Sequence, residues 1–384
     1  MKGTIIYVNF SPYENAGKIL DYLMENYSTI LLFSFNFHRL DVHRNASRLT
    51  VYQHGKTIYY TRLYQTPTPP SLAFLLLPVR SVVIFLQLLW HTQKLKKQYG
   101  PYDTYFTVNA FTAWCGNILR KLGIVNITIF WVWDYYPPIH KNSIVKFMRW
   151  LYWLFDKPAS RDTDTVVFLN KRLELLRRRR NLLPKDKRYD SIGIGTDPIN
   201  KITPKHLNRI QLVFLGVIKK SQGLDLLFDA FEGTTNKHMP KLHIIGGGPD
   251  ESHYRKRALI SPLKVQFHGY IMDDTKVTDI INDCHIGIAT YVPDKSNVSY
   301  YSDPSKIKRY LSCGLPVITT DVFAFSDEIT KSGAGIVIPY QGKQLFEAIT
   351  KIMKTYPQYQ RRALTLAKKY FYKNLYKNLF AKRP

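Results

Sequence analysis

The chain has 384 residues, 45% of them hydrophobic, which fills two α/β cores of roughly 180 residues each and exceeds one ordinary core. Its 55 Lys and Arg against 28 Asp and Glu give a net charge of +27, shared almost evenly between the two halves, so no single basic tail accounts for it. Such a field favours an anionic partner, whether nucleic acid, an anionic lipid surface or a phosphate-bearing substrate, and composition does not choose among these. Cys115, Cys284 and Cys313 are far apart and form no C-x-x-C pair, which argues against a zinc site or a disulfide framework and fits a reducing, cytoplasmic setting.

The opening MKGTIIYVNF reads as a buried first strand, since it lacks the small-residue cleavage site of a signal peptide. From there β-branched and aromatic runs alternate with helix-length segments, the pattern of parallel sheets with crossover helices. Strands are expected at 4–9, 29–35, 104–108, 127–132 and 165–169 in the first half, and at 211–215, 242–245, 264–267, 286–289 and 316–319 in the second. The fold class is therefore α/β, with two Rossmann-like, doubly wound parallel-sheet domains. The polar, Gly- and Pro-containing SIGIGTDPINKITPKHLNR reads as the linker, giving domains at 1–200 and 201–360. Residues 361–384 are expected to form a basic C-terminal helix packing back on the first domain; from 351 onward the tail has basic but no acidic residues, with Tyr and Phe between them.

The apolar stretch at 72–90 approaches membrane-spanning length, but Pro78, Arg80 and Gln87 interrupt it, so it does not read as transmembrane. A buried helix pair and an interfacial helix both fit. Residues 51–100 contain no Asp or Glu, the stretch runs into HTQKLKK, and KFMRWLYWLFDK sets Trp150 and Trp153 beside Arg149. These features favour peripheral attachment to an anionic membrane surface. The run RRRR at 177–180 reads as a solvated helix face.

Three segments carry chemistry. In LVFLGVIKKSQGLDLLFDAF, residues 212–231, a strand leads through Gly216 to Lys219, Lys220, Gln222 and an amphipathic helix. Phosphate suits such a turn, because backbone N–H groups at a helix N-terminus and two point charges would face it. A solvated turn with ordinary lysines also fits. In LHIIGGGPDE, Gly246, Gly247 and Gly248 follow a strand and Pro249 starts a helix, which suits a nucleotide contact and a purely structural tight turn equally. In ATYVPDKSNVSYYSDPSKIKRYLSCGLPVITT, Pro304 opens a helix that Gly314 ends. Lys306 lies in its first turn, where a cation opposes the helix dipole and a bound phosphate relieves the conflict. Asp303 is well placed as the helix cap.

In this order and spacing the three segments resemble the C-terminal domain of GT-B glycosyltransferases of the large, mostly retaining, nucleotide-sugar-dependent group, glycosyltransferase family 4-like. DPSKIKRYLSCGLPVITT carries the resemblance most strongly. It implies two domains facing a cleft, the first for the acceptor and the second for a nucleoside diphosphate sugar, with no tightly bound cofactor and no metal. Lys219, Lys220 and Lys306 are then the catalytic cations at the diphosphate. Gly216, Gln222, Gly246, Gly247, Ser302, Asp303, Pro304 and Arg309 surround the nucleotide and sugar. On the acceptor side, FWVWDYYPPIH sets Asp134 at a strand end as acceptor ligand or base, although a loop-structuring carboxylate fits as well, and His140 follows it. The turn at Asn15 and Gly17 faces the same cleft in related enzymes.

The sequence departs from the family where Val217 and Gln222 replace Arg and Lys, and where Tyr301 and Arg309 replace two Glu. These departures bear on the ribose contact and the nucleotide. No D-x-D lies beside the expected pocket, and no carboxylate pair supports a glycosidase mechanism. The implied reaction moves a sugar to an acceptor hydroxyl, lipid-linked or polysaccharide, in a cytoplasmic protein peripheral to the inner face of the membrane. A sugar-nucleotide epimerase of the same fold and a non-catalytic nucleotide-sugar-binding relative remain alternatives. Charge alone suggests nucleic-acid binding, without a recognisable motif.

Overall fold

The computed structural model of the chain describes residues 2–10, 14–36, 46–66, 76–133, 135–136, 142–180, 182–184, 189–199, 209–234, 239–294 and 298–381. Two compact units form, one of Met1–Gly193 with Tyr376–Pro384, the other of Ile194–Leu375.

The first unit runs β1 (Lys2–Asn9), α1 (Ile19–Asn26), β2 (Tyr27–Ser34), β3 (Arg48–Gln53), β4 (Lys56–Arg62), α2 (Leu77–Tyr99), β5 (Tyr102–Thr107), α3 (Ala110–Lys121), β6 (Val125–Val132), α4 (Ser143–Asp162), β7 (Thr165–Phe168), α5 (Lys171–Arg179) and β8 (Asp190–Ser191). Its sheet has the order β4-β3-β2-β1-β5-β6-β7-β8. From β2 to β8 the strands are parallel, and their β-branched and aromatic side chains are buried on both faces, as parallel sheets require. The sequence reading lacked the antiparallel hairpin β3–β4 at the sheet edge. His54 and Gly55 turn it, with φ of 49° and 76°, the positive values that a two-residue hairpin turn needs.

Two expectations in this unit are corrected. The stretch at 72–90 does not supply a helix pair among the described residues: α2 is one helix, and Pro78 sits in its first turn, where its missing N–H interrupts no hydrogen bond. One face of α2, with Ile84, Leu88 and Leu95, packs into the core beside Leu31, Phe33 and Leu119, and the opposite face is exposed. Nor is 177–180 simply a solvated face. Arg177 is wholly buried, 3.0 Å from the equally buried Asp156, with its guanidinium over the rings of Trp153 and Phe168. The chain end returns to this unit through α13 (Tyr372–Leu379), where Tyr376, Leu379 and Phe380 are buried. Phe380 meets Tyr22 and Phe106, and the Tyr376 hydroxyl donates to the Gly17 carbonyl at 2.7 Å.

The second unit holds β9 (Gln211–Leu215), α6 (Leu224–Phe231), β10 (Lys241–Ile245), α7 (Glu251–Ile260), β11 (Lys264–Gly269), α8 (Asp274–Asn282), β12 (Ile286–Ala289), α9 (Ser305–Ser312), β13 (Val317–Thr320), α10 (Ser326–Ser332), β14 (Gly335–Ile338), α11 (Gly342–Lys354) and α12 (Tyr356–Lys368). All strands are parallel, in the order β11-β10-β9-β12-β13-β14. The expected strands are present, and β14 is additional. The chain builds outward from β9 to β11, then resumes on the other side at β12. That reversal sets the carboxyl ends of β9 and β12 side by side, the place where open α/β sheets leave a crevice for ligands.

Candidate functional site

Two glycines shape the crevice floor. Gly216, leaving β9, has φ of 140°, and Gly246, leaving β10, has φ of 130°, both in a region that side chains avoid. A Cβ on Gly246 would lie 2.1 Å from the Gly216 carbonyl oxygen, and one on Gly216 would lie 2.8 Å from Lys306 Nζ. The strand exits are also bonded together, Gly216 N donating to Ile245 O and Ile218 N to Gly247 O, each at 2.9 Å. The glycine turn after β10 therefore serves close packing against the loop after β9.

Lys306 enters from the first turn of α9. Its ammonium donates to Gln222 Oε1 at 2.8 Å and lies 4.5 Å from the Phe214 ring centroid and 4.8 Å from that of Tyr291. The ring faces attract a cation, but far less than water does. Burial, and then the nearby charge of Lys219, push the Lys306 pKa down to about 7, and no carboxylate among the described residues offsets them. Lys220 is exposed, and its backbone N–H donates to Asp250 Oδ2 at 2.8 Å. Gln222 N and Gly223 N bond back to Lys219 O and Lys220 O within the same turn. The backbone N–H groups of Lys220, Gln222 and Gly223 are thus committed locally, and the cationic side chains are the charged groups this loop offers an anion.

Other predicted residues lie differently. Asp303 does not cap α9, which has no side-chain cap; its carboxylate accepts from Ile194 N at 2.6 Å and pairs with Lys308. Lys308 is fully buried, donates also to Ile194 O at 2.9 Å, and lies over the Tyr370 ring, so it anchors the start of this unit to its end. Burial lowers its pKa and Asp303 partly restores it. Ser302 donates to Ser299 O, and Pro304 is buried at the start of α9. Arg309 reaches α8, where it contacts Asp274 and Thr278 at 2.7 Å. Gly247 adjoins Glu251, and Asp134 and His140 lie outside the described residues.

The structure therefore brings together Lys306, Gln222, Gly216 and Lys219, with Gly246 packed beneath them. Sequence reasoning missed Phe214 and Tyr291, the rings that hold Lys306, and Tyr310, whose hydroxyl accepts from Leu215 N at 2.6 Å. For Phe214 and Tyr291 the signal was an aromatic residue close to each strand end. An ammonium half protonated near neutral pH, beside a second lysine, suits a ligand that brings two negative charges, since binding would restore the missing proton. Among the described residues no cluster of His, Cys, Asp and Glu could hold a metal ion.

Residues 209–355, which contain this whole constellation, match the family of glycosyl transferases group 1. The chain carries a glycosyltransferase group 1 domain. Among solved structures it is similar over 97% of its length to 96% of an Anabaena protein, HepE, in complex with UDP, at 13% identity and a TM-score of 0.65. It is similar over 99% of its length to the whole of a sucrose-phosphate synthase from Thermosynechococcus elongatus, at 14% identity and a TM-score of 0.64. A lipopolysaccharide outer core galactosyltransferase, WaaB, in its apo form gives a TM-score of 0.60 at 14% identity, with 98% of this chain and 97% of that one covered. These likenesses show the GT-B fold, two parallel-sheet α/β domains, and the matched domain, over residues 209–355, is that of a glycosyltransferase. No curated protein matches the sequence.

Proposed function

We propose that this glycosyltransferase moves a sugar from a nucleoside diphosphate sugar to an acceptor hydroxyl, retaining the anomeric configuration and using no metal. Lys306 carries the reading: a half-buried ammonium without a carboxylate partner among the described residues, beside Lys219, at the switch point of the matched domain. The HepE structures with UDP and with UDP-glucose support a uridine diphosphate sugar as this chain's donor.

In the reaction the bond from the anomeric carbon to the diphosphate oxygen breaks, and the electron pair stays on that oxygen. Lys219, Lys220 and Lys306 stabilise the charge, each charge-assisted hydrogen bond contributing about 1.5 to 3 kcal/mol. The acceptor oxygen bonds to the anomeric carbon on the face the diphosphate leaves and gives up its proton, for which Asp134, just beyond β6, is the proposed acceptor-side base. Gly247, Ser302, Asp303 and Pro304 line the nucleotide and sugar in this reading, with Arg309 at their edge. The acceptor is lipid-linked or a polysaccharide, and the enzyme works in the cytoplasm at the inner face of the membrane.

A thermal-shift panel of UDP, GDP, ADP and dTDP, each with and without EDTA, tests this. At a hundred times Kd a ligand adds about 2.7 kcal/mol to native-state stability and moves the midpoint by several degrees. The expected result is a shift selective for UDP and resistant to EDTA. No shift from any nucleotide at millimolar concentration would leave the donor assignment without a binding site.

A further inference from the structure

In the first unit, α2, α3 and α4 are joined by aromatic contacts: Phe85 of α2 meets Trp114 of α3 at 6.0 Å, and Trp114 meets Phe155 of α4 at 5.2 Å. The outward faces on both sides of this seam are apolar. On α2, Val79, Val82, Leu86 and Trp90 are 53, 57, 55 and 67% exposed; on α4, Ile144, Phe147, Trp150 and Leu154 are 58, 44, 56 and 52% exposed. Both sets follow the three- and four-residue spacing of a single helix face. The inner face of α2 already fills the core, so the helix has no folding reason for a second apolar stripe, and contiguous patches of this kind mark binding surfaces.

The charge around the stripes identifies the occupant. Lys94 and Lys97 at the end of α2, and Lys146 and Lys157 on α4, are exposed. No Asp or Glu occurs between residues 51 and 100. On α4, Asp156 is buried against Arg177, and Asp162 is bonded to Arg161 in the last turn. Apolar side chains flanked by lysines fit the boundary between headgroups and acyl chains of a bilayer with anionic lipid. A second copy of the same face would set lysine against lysine. No described helix is long and apolar enough to cross a membrane, so these helices would lie on it.

We propose that the outer faces of α2 and α4 form a docking surface for an anionic bilayer, Trp90 and Trp150 entering the interface and the four lysines meeting lipid phosphates. This gives a location to the membrane partner of the functional reading above and rests on that reading.

The test is co-sedimentation of the full chain with phosphatidylcholine vesicles, with and without phosphatidylglycerol, for wild type and two double variants. These are Leu86→Ser with Trp90→Ser, and Lys94→Glu with Lys97→Glu. A UDP thermal shift on each protein checks the donor site. Wild type should bind only the vesicles containing phosphatidylglycerol. Both variants should bind at least about tenfold more weakly, one by losing apolar burial and the other by losing the attraction of lysine to anionic headgroups. The UDP shift should be the same in all three. Wild type that shifts with UDP but does not sediment with anionic vesicles overturns the docking surface and leaves the donor reading standing. Vesicle binding with these variant losses, but without a UDP shift, supports the surface and removes the donor reading. Binding that the apolar variant leaves unchanged overturns the proposal, as does a wild-type dimer that this variant dissolves without any vesicle binding.

Discussion

Lys306→Met tests whether the second unit carries an uncompensated charge for its ligand. The ammonium is held down from its ordinary 10.5 to about 7, a depression on the order of 5 kcal/mol at roughly 1.36 kcal/mol per pKa unit. The side chain is half-buried, so screening leaves about 2 kcal/mol of that as a real cost to the fold. Methionine removes this cost and also the bond to Gln222 Oε1, worth about 1 kcal/mol. The net effect is a gain of about 1 kcal/mol, or about 2 to 4 °C for a unit of this size. Because the folded pKa lies below the unfolded one, the unfolded chain holds the extra proton between about 7 and 10.5, and wild-type stability rises with pH through that window. The advantage of methionine is therefore full below pH 7 and fades above it. Scanning calorimetry of the free proteins at about pH 6 and about pH 9, repeated with UDP, reads both parts. We expect the variant to melt higher than wild type at the lower pH, with a smaller gap at the higher, and to lose the UDP shift. A variant that melts below wild type at the lower pH would mean the ammonium stabilises the fold, and the argument from uncompensated charge would be refuted.

Acid should weaken the second unit through His243, whose Nδ1 lies 2.9 Å from His268 Nε2 and whose Nε2 lies 2.9 Å from Gln211 Oε1. Burial, then Lys241 and His268, lower its pKa to about 4, so its contribution is full above about pH 6.5 and is lost as pH falls toward 4, up to about 2 kcal/mol after screening. Urea midpoints between those pH values should fall less steeply for His243→Gln, and an unchanged slope would count against the pair. Gly246→Ala places a Cβ 2.1 Å from the Gly216 carbonyl at φ 130° and should cost at least about 2 kcal/mol and the UDP shift. Gly233→Ala, at φ 70° with nothing within 4 Å of its Cβ, should cost only about 1 kcal/mol by urea unfolding; equal losses would show that steric approach is not the reason.

Most of the parallel strands were legible because they are covered on both faces and so read as short apolar runs, Ile286–Ala289 as clearly as Thr165–Phe168. The hairpin β3–β4 was not, because β4 lies at the edge with much of it exposed, and its His54-Gly55 turn is not one of the commonest hairpin dipeptides. Two-residue β8 carries no pattern of its own. Arg177 misled for a related reason: a run of four arginines reads as solvated unless a carboxylate is known to meet it, and Asp156 comes from another helix, 21 residues upstream.

The candidate site divides along the same line. Lys306 and Lys219 stood out because a cation in the first turn of a helix and a lysine after a strand-end glycine are conspicuous over a few residues. What surrounds them was not visible, because Phe214 and Tyr291 meet only when β12 is laid beside β9, out of chain order. Asp303 shows how a long-range contact can overrule a local rule. One residue before Pro304 it suits a cap, yet in the fold it bonds Ile194, 109 residues away, together with Lys308 from the next turn of its own helix. That pair is self-compensating, a buried lysine with its carboxylate, whereas Lys306 two residues earlier has rings and an amide. Two lysines on one short helix thus take opposite roles, and the difference lies in whether a carboxylate is already there.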